Sequence, residues 1–153
     1  MSREWGARVI VRDVFRAGSL AGLAMIPFGL LFRANGLRVN EYGRKTLELV
    51  AGELAPGPHF ALTFVQHMLI SWIAAVPLLL VLRRLEERGP RLLAGLAYGG
   101  GFYVALNSLA LPVAFGDPTP WELGFATIYP SLVVHGVYGA VLALCAKVGP
   151  APR

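Results

Sequence analysis

The stretch PHFALTFVQHMLISWIAAVPLLLVL, Pro58 to Leu82, contains no Asp, Glu, Lys or Arg and stops abruptly at Arg83 and Arg84. A helix rises about 1.5 Å per residue, so about 20 apolar residues cross a hydrocarbon layer of about 30 Å. Residues 58–82 are therefore predicted to form a transmembrane helix. The rest of the chain is interpreted around this span.

The composition of the chain indicates a membrane protein. Of its 153 residues, 56% are hydrophobic and 15% are charged, whereas soluble domains carry about 25% charged residues. The net charge is +5, but the basic residues flank apolar runs and form no single patch, so nucleic-acid binding is not expected. We predict one membrane domain over residues 1–153, in which the lone Cys145 has a packing role.

Three further apolar runs predict three more spans, at about residues 17–32, 92–115 and 123–146. The fold class expected is all-α, an integral membrane bundle of four transmembrane helices. The first and third spans contain Gly18-xxx-Gly22 and Gly95-xxx-Gly99, a spacing that allows close helix approach. Two such glycine faces are more than helix packing within one small bundle obviously needs. We therefore expect a homo-oligomer or a subunit of a larger membrane complex.

The segments between the spans carry their own signals. Four arginines lie within residues 2–16, which is either the basic flank of the first span or a short interfacial helix. No short apolar core ends there in a small-residue cleavage site, so a cleaved signal peptide is not expected. Residues 41–54 are predicted to form an amphipathic helix in the first outer loop, and Gly89-Pro90 is predicted to break the turn between the second and third spans.

The distribution of basic residues predicts the orientation of the bundle. Ten of the fourteen lysines and arginines lie in the N-terminal segment, the turn after the second span and the C-terminal tail. The other four lie in or beside the first outer loop. Under the positive-inside rule, both termini are expected in the cytoplasm.

Polar side chains recur at similar depth in three of the predicted spans. They occur at helical spacing, so each set lies on one helix face, and lipid exposure of many such groups would be costly. We predict that they converge as an intramembrane polar cluster. Its members are Thr63, Gln66, His67, Ser71, Tyr103, Asn107, Ser131, His135 and Tyr138.

Three interpretations of this cluster stay open from the sequence. In the first, the side chains form only interhelical hydrogen bonds, each worth about 0.6 kcal/mol on average. In the second, they line a path for a small solute, an ion or protons, since intramembrane ionisable residues mark such paths. In the third, His67 and His135 are axial ligands of a b-type haem, which is the weakest interpretation because no other haem signature accompanies them.

An enzyme is the least supported class. No Walker sequence, GxSxG or HExxH occurs, and no Asp or Glu lies inside a predicted span to orient a base or nucleophile. No catalytic residue and no metal site are predicted. The expected partners are membrane lipids and other membrane subunits.

Two resemblances add to this picture. A glycine-rich first span, a polar outer loop, NSLALP in the third span and YPSLVVHGVYG in the fourth resemble YagU-type bacterial inner-membrane proteins, which are small four-helix proteins without a settled activity. That resemblance implies a multi-pass protein of the bacterial inner membrane. QHMLISWIAAVPLLLVL also resembles one helix of the caa3-type cytochrome oxidase assembly factors, which bind copper, but those proteins have more spans and copper is not expected here.

Overall fold

The computed structural model describes residues 2–39, 42–52 and 55–148. These residues are mostly helical and contain no strand. In chain order the elements are α1 (Ser2–Ala34), α2 (Tyr42–Ala51), α3 (Pro56–Leu82), α4 (Arg88–Phe102), a π-helical segment (Tyr103–Ala110), α5 (Leu111–Phe115), α6 (Pro120–Leu123) and α7 (Phe125–Cys145).

Four of the described helical stretches are long and apolar enough to cross a membrane. They are Arg8–Ala34, Pro56–Leu82, Arg88–Phe115 and Phe125–Cys145. The third stretch joins α4, the π-helical segment and α5 into one continuous helical run. The predicted all-α membrane bundle with four transmembrane helices is confirmed.

The first two spans begin earlier than the sequence predicted. α1 runs without interruption from Ser2 through the arginine-rich segment, which is therefore the flank of the first span and not a separate helix. No proline or turn residue separates the two parts, and Arg, Val and Ile are all tolerated in helices. α3 starts at Pro56, since proline suits the first turn of a helix, where its missing N–H has no partner to lose.

The other boundaries differ for reasons of backbone geometry. Gly89-Pro90 does not interrupt the helix, because both residues lie in the first turn of α4, where proline is tolerated. The fourth span begins at Phe125 and not at residue 123, because Gly124 takes a φ of 94° that separates α6 from α7. α2 ends before Gly52, whose φ is 70°. The predicted ends of that helix, residues 41, 53 and 54, lie outside the described residues.

The bundle is built around α7, which packs against α4 on one side and α1 on the other. α1 packs in turn against α3, and α3 makes fewer contacts with α4 and α7. The buried apolar side chains concentrate where α3 and α7 end and α1 begins. They are Ala17, Ala21, Ala74, Ala75, Leu78, Leu79, Leu82, Leu142, Ala143 and Val148, with Tyr138 at their edge.

The predicted packing glycines lie inside this bundle. A Cβ atom on Gly95 or Gly99 would collide with the backbone of α7 at Gly139 and His135, and one on Gly22 would meet Ser71. Gly18 lies within van der Waals reach of Ala75 and Trp72. Both glycine faces are therefore used within the chain, so they do not supply the spare association surface that we expected from the sequence.

Candidate functional site: an intramembrane polar layer

His135, a member of the intramembrane polar cluster (the polar layer below), forms hydrogen bonds through both of its ring nitrogens. Its Nδ1 lies 2.7 Å from the Ser131 carbonyl oxygen, and its Nε2 lies 2.7 Å from Asn107 Nδ2. A carbonyl can only accept, so Nδ1 carries the hydrogen and donates it to Ser131. Nε2 is then the acceptor for the Asn107 amide. The two bonds fix a neutral imidazole whose ring orientation is set by two different helical elements.

The π-helical segment brings Asn107 to His135. Three glycines, Gly99, Gly100 and Gly101, lie just before the segment. Pro112 lies just after it and has no N–H to donate to an α-helical hydrogen bond. Just before that proline, the N–H of Leu111 bonds the Leu106 carbonyl five residues back. A π-helical turn re-aims the side chains it carries and is frequent at functional sites.

Aromatic rings enclose the His135 imidazole. The Phe102 ring is stacked on it at a centroid distance of 5.9 Å, and the Tyr103 ring lies 5.7 Å away. Tyr103 and Ser108 are both completely buried, and their hydroxyl oxygens have no hydrogen-bond partner in the described protein. Ser108 was not among the predicted site residues. Its position beside Asn107 is the only sequence signal that could have indicated it.

His67 bonds a different neighbour. Its Nε2 lies 2.9 Å from the Gly22 carbonyl of α1, so Nε2 carries the hydrogen and donates it. This contact depends on Gly22, because a side chain at that position would meet Ser71 and His67. The Ser71 hydroxyl itself donates to the His67 carbonyl at 2.8 Å, within its own helix.

Two tyrosines connect these groups across the bundle. The Tyr138 hydroxyl donates to the Ser71 carbonyl of α3 at 2.6 Å, and the Tyr98 hydroxyl donates to the Ala74 carbonyl at 2.6 Å. Tyr138 lies one helical turn from His135, and Ser71 lies one turn from His67. The predicted cluster is thus continuous across α1, α3 and α7, with the π-helical segment at one side.

One predicted member, Gln66, bonds outside this continuous part. Gln66 donates from Nε2 to the Thr46 hydroxyl of α2 at 2.7 Å, so it links α3 to the outer loop. Its Oε1 and the Thr63 hydroxyl are buried and have no described hydrogen-bond partner. Ser131 is buried beside His135 and offers its backbone carbonyl as the acceptor.

The geometry does not suit axial haem ligation by His67 and His135. Each Nε2 atom already bonds a protein group on a neighbouring helical element, Gly22 in one case and Asn107 in the other. Haem binding would have to break both intramembrane bonds. Among the described residues, no group of three or more His, Cys, Asp or Glu side chains is arranged to hold a metal ion.

The sequence did not indicate a second polar cluster, which surrounds the end of α7. Asp13 of α1 is completely buried and accepts from the backbone N–H groups of Lys147 and Val148, at 2.5 and 2.8 Å. Arg16 bridges Asp13 and the Cys145 carbonyl. Arg91 donates to the carbonyls of Leu82, Leu85, Ala146 and Val148.

This second cluster shows why Asp13 was missed. Asp13 lies in an arginine-rich flank that also contains Glu4, and the residue pattern of this flank does not mark either carboxylate as buried. In the structure, the Asp13 carboxylate accepts hydrogen bonds from two backbone N–H groups just after the end of α7. Arg16 and Arg91 donate to backbone carbonyls near the ends of α3 and α7. Only the position of α7 against α1 makes these groups partners.

Comparison of the chain with family models, with curated proteins and with solved structures finds no match.

Proposed function

We propose that this chain is a structural or accessory subunit of the bacterial inner membrane, which associates with itself or with a larger membrane complex. One observation carries the proposal. The two intramembrane histidines, the groups best suited to chemistry, are both bonded to neighbouring helices. Side chains used in this way fix the register of the bundle.

The proposed topology has both termini in the cytoplasm. Arg83, Arg84, Arg88 and Arg91 lie at the same end of the bundle as Arg16 and the end of α7. The positive-inside rule favours that end for the cytoplasmic side.

Association needs a surface other than the two glycine faces, which are used inside the chain. Exposed small residues recur every four positions along the third span at Ala97, Gly101 and Ala105. A Cβ on Gly101 would meet no atom within 4 Å. Small residues at this spacing allow close helix contact in membranes, so we place the contact with another subunit on this face.

The test is the mass of the natively purified protein in a mild detergent. The proposal expects either a multiple of the 16.5 kDa chain or a partner in fixed stoichiometry. Gly101→Leu should weaken that assembly, because a large side chain separates helices that meet at small residues. Gly29→Leu is the matched control, since Gly29 is also open. A monodisperse monomer without a stoichiometric partner would contradict the proposal.

A second candidate is a conduit for a small solute, an ion or protons. It is favoured by the buried hydroxyls of Tyr103 and Ser108, which have no partner in the described protein and lie beside the Asn107–His135 pair. Buried polar groups without protein partners typically bond internal water. A hydrated layer in the middle of a bundle is where transport paths form.

Flux measurements separate the two candidates. Wild-type protein in liposomes would be compared with His67→Leu, His135→Leu and the control His59→Leu, whose histidine lies at the outer edge near Glu48. A conduit predicts flux in wild type and control and its loss in the other two. The structural proposal predicts no flux above empty liposomes for any of them, with stability changes of about 0.6 to 2 kcal/mol in the two intramembrane variants.

A further inference from the structure

An open cleft of about 570 Å³ lies at the end of the bundle where α3 stops, α4 starts and α7 ends. Its lining includes Glu86, Arg88, Arg91, Leu144, Ala146 and Val148. These residues come from the boundary of three transmembrane helices. The cleft therefore lies at the level of the lipid headgroups, below which the spans enter hydrocarbon.

The cleft carries net positive charge. Arg88 is exposed at its edge, and Arg91 is held in its wall by four backbone carbonyls, none of which neutralises the guanidinium charge. Glu86 is the one acidic residue of the lining, and it is exposed to solvent. Two cations and one partly screened anion therefore line the cleft, and the buried Asp13 carboxylate also interacts electrostatically with Arg91.

The apolar part of the lining indicates a ligand with hydrocarbon chains. Leu144 lines the cleft and is 62% exposed. Leu93 and Val81, on the neighbouring helices α4 and α3, are 69% and 49% exposed. An anion bound in the cleft would therefore have open apolar surface beside it on the membrane side.

We propose that this cleft binds one anionic phospholipid, with its phosphate at Arg88 and its acyl chains along Leu144. Arg91 acts as a positioned positive charge in the wall, because its Nη1 and Nη2 atoms already donate to backbone carbonyls. Basic pockets between transmembrane helices at the cytoplasmic side bind the headgroups of anionic lipids. Glu86 opposes an anion and so limits the affinity of the cleft.

The experiment is native mass spectrometry of the full chain in mild detergent, titrated with phosphatidylglycerol. One lipid should be retained in preference to phosphatidylcholine and phosphatidylethanolamine. Arg88→Gln should weaken retention about five-fold, which corresponds to about 1 kcal/mol per basic residue near a membrane surface. Glu86→Gln should strengthen it, because the opposing charge is removed.

Arg83→Gln is the matched control. It removes the same charge from the same turn, but Arg83 does not line the cleft. Equal weakening by Arg83→Gln and Arg88→Gln would show general charge attraction and overturn the site. Equal retention of phosphatidylcholine or phosphatidylethanolamine would also overturn it. Displacement of the lipid by an equal concentration of soluble glycerol phosphate would mean that the acyl chains contribute nothing, which would overturn the lipid assignment.

Discussion

At the scale of single residues, Gly95, Gly99 and Gly139 set the distance between α4 and α7. Gly139 lies against the backbone of Gly95 and Gly99, and Gly99 lies against the carbonyl of His135. Helices that approach this closely leave no room for a methyl group at the crossing. The position of the His135 backbone, and hence of its imidazole, depends on these three glycines.

We expect Gly139→Ala to destabilise the bundle by about 1 to 3 kcal/mol, the usual range for overpacking of a close contact. Gly29→Ala is the control, because Gly29 lies inside α1 and a Cβ there meets no atom within 4 Å. Alanine favours helix over glycine by about 1 kcal/mol, so Gly29→Ala should be neutral or stabilising. Thermal unfolding in detergent measures both variants. Equal stability of the two would contradict the close crossing.

Asp13 also acts at the residue scale. Its carboxylate is buried at the contact between α1 and the end of α7, where it accepts two backbone N–H bonds and one bond from Arg16. A buried carboxylate is stable only when such partners surround it. Asp13 therefore ties the first transmembrane helix to the last.

At the scale of elements, the third span combines a glycine-rich α-helical half with a π-helical half. The first half packs closely against α7 through Gly95 and Gly99. The second half is wider per turn and carries Tyr103, Asn107 and Ser108 towards the bundle interior. The irregular geometry is satisfied because the segment lies against α7, whereas irregular backbone facing lipid would be costly.

α2 is attached to the end of the bundle where α1 stops and α3 begins, through a small contact of aromatic rings and one ion pair. The Tyr42 ring stacks on Phe115 at 5.6 Å, and Lys45 pairs with Asp117 beside both rings. The hydrogen bond from Lys45 lowers the pKa of the Asp117 carboxyl. Burial, followed by the charge of Asp117, raises the pKa of the Tyr42 hydroxyl. That α2 lies on a membrane surface stays a prediction, although Leu49 and Val50 are exposed.

The lowered pKa of Asp117 gives this attachment a pH dependence with a defined sign. A carboxyl whose pKa is lower in the attached state stabilises attachment above its ordinary pKa of 3.8. That stabilisation is lost as pH falls below 3.8, through the lowered value. Hydrogen exchange of α2, corrected for the intrinsic rate, should show loss of protection in that range. Asp117→Asn should lack the step, and an identical profile in that variant would contradict the role of Asp117.

At the scale of the whole molecule, the apolar core and the polar layer occupy different depths. The buried aliphatic side chains gather at the end where α3 and α7 stop, near the Asp13 and Arg91 clusters. The polar layer lies closer to the opposite end of the bundle, where α2 covers part of it through Gln66. The buried apolar side chains are therefore concentrated at the end of the bundle that carries most of the basic residues.

Topology can be tested with single cysteines in a Cys145→Ser background. We expect a cysteine at Leu49 to react with a membrane-impermeant maleimide added to intact spheroplasts, because the first outer loop carries few basic residues. A cysteine at Glu86 should react only after the membrane is permeabilised. Both positions are exposed, so access depends on the side of the membrane alone. The reverse pattern would contradict the proposed orientation.

The sequence by itself determined the fold class and the four spans. Charge-free apolar runs such as Pro58 to Leu82 leave few alternatives to transmembrane helices, because the backbone must satisfy its own hydrogen bonds in lipid. Helical spacing also placed His67 with Ser71 and His135 with Tyr138 on single faces. The structure connects these two faces through the Tyr138–Ser71 bond.

Only the tertiary structure decided which partners those residues have. Spacing along one helix cannot tell which neighbour lies opposite, so Gly22 for His67 and Asn107 for His135 were not predictable as pairs. The glycine faces looked available for other subunits, but contacts between helices far apart in sequence use them internally. The burial of Asp13 against the end of α7 likewise depends on how the helices cross. Periodicity depends on local backbone geometry, whereas partner choice depends on how the helices cross.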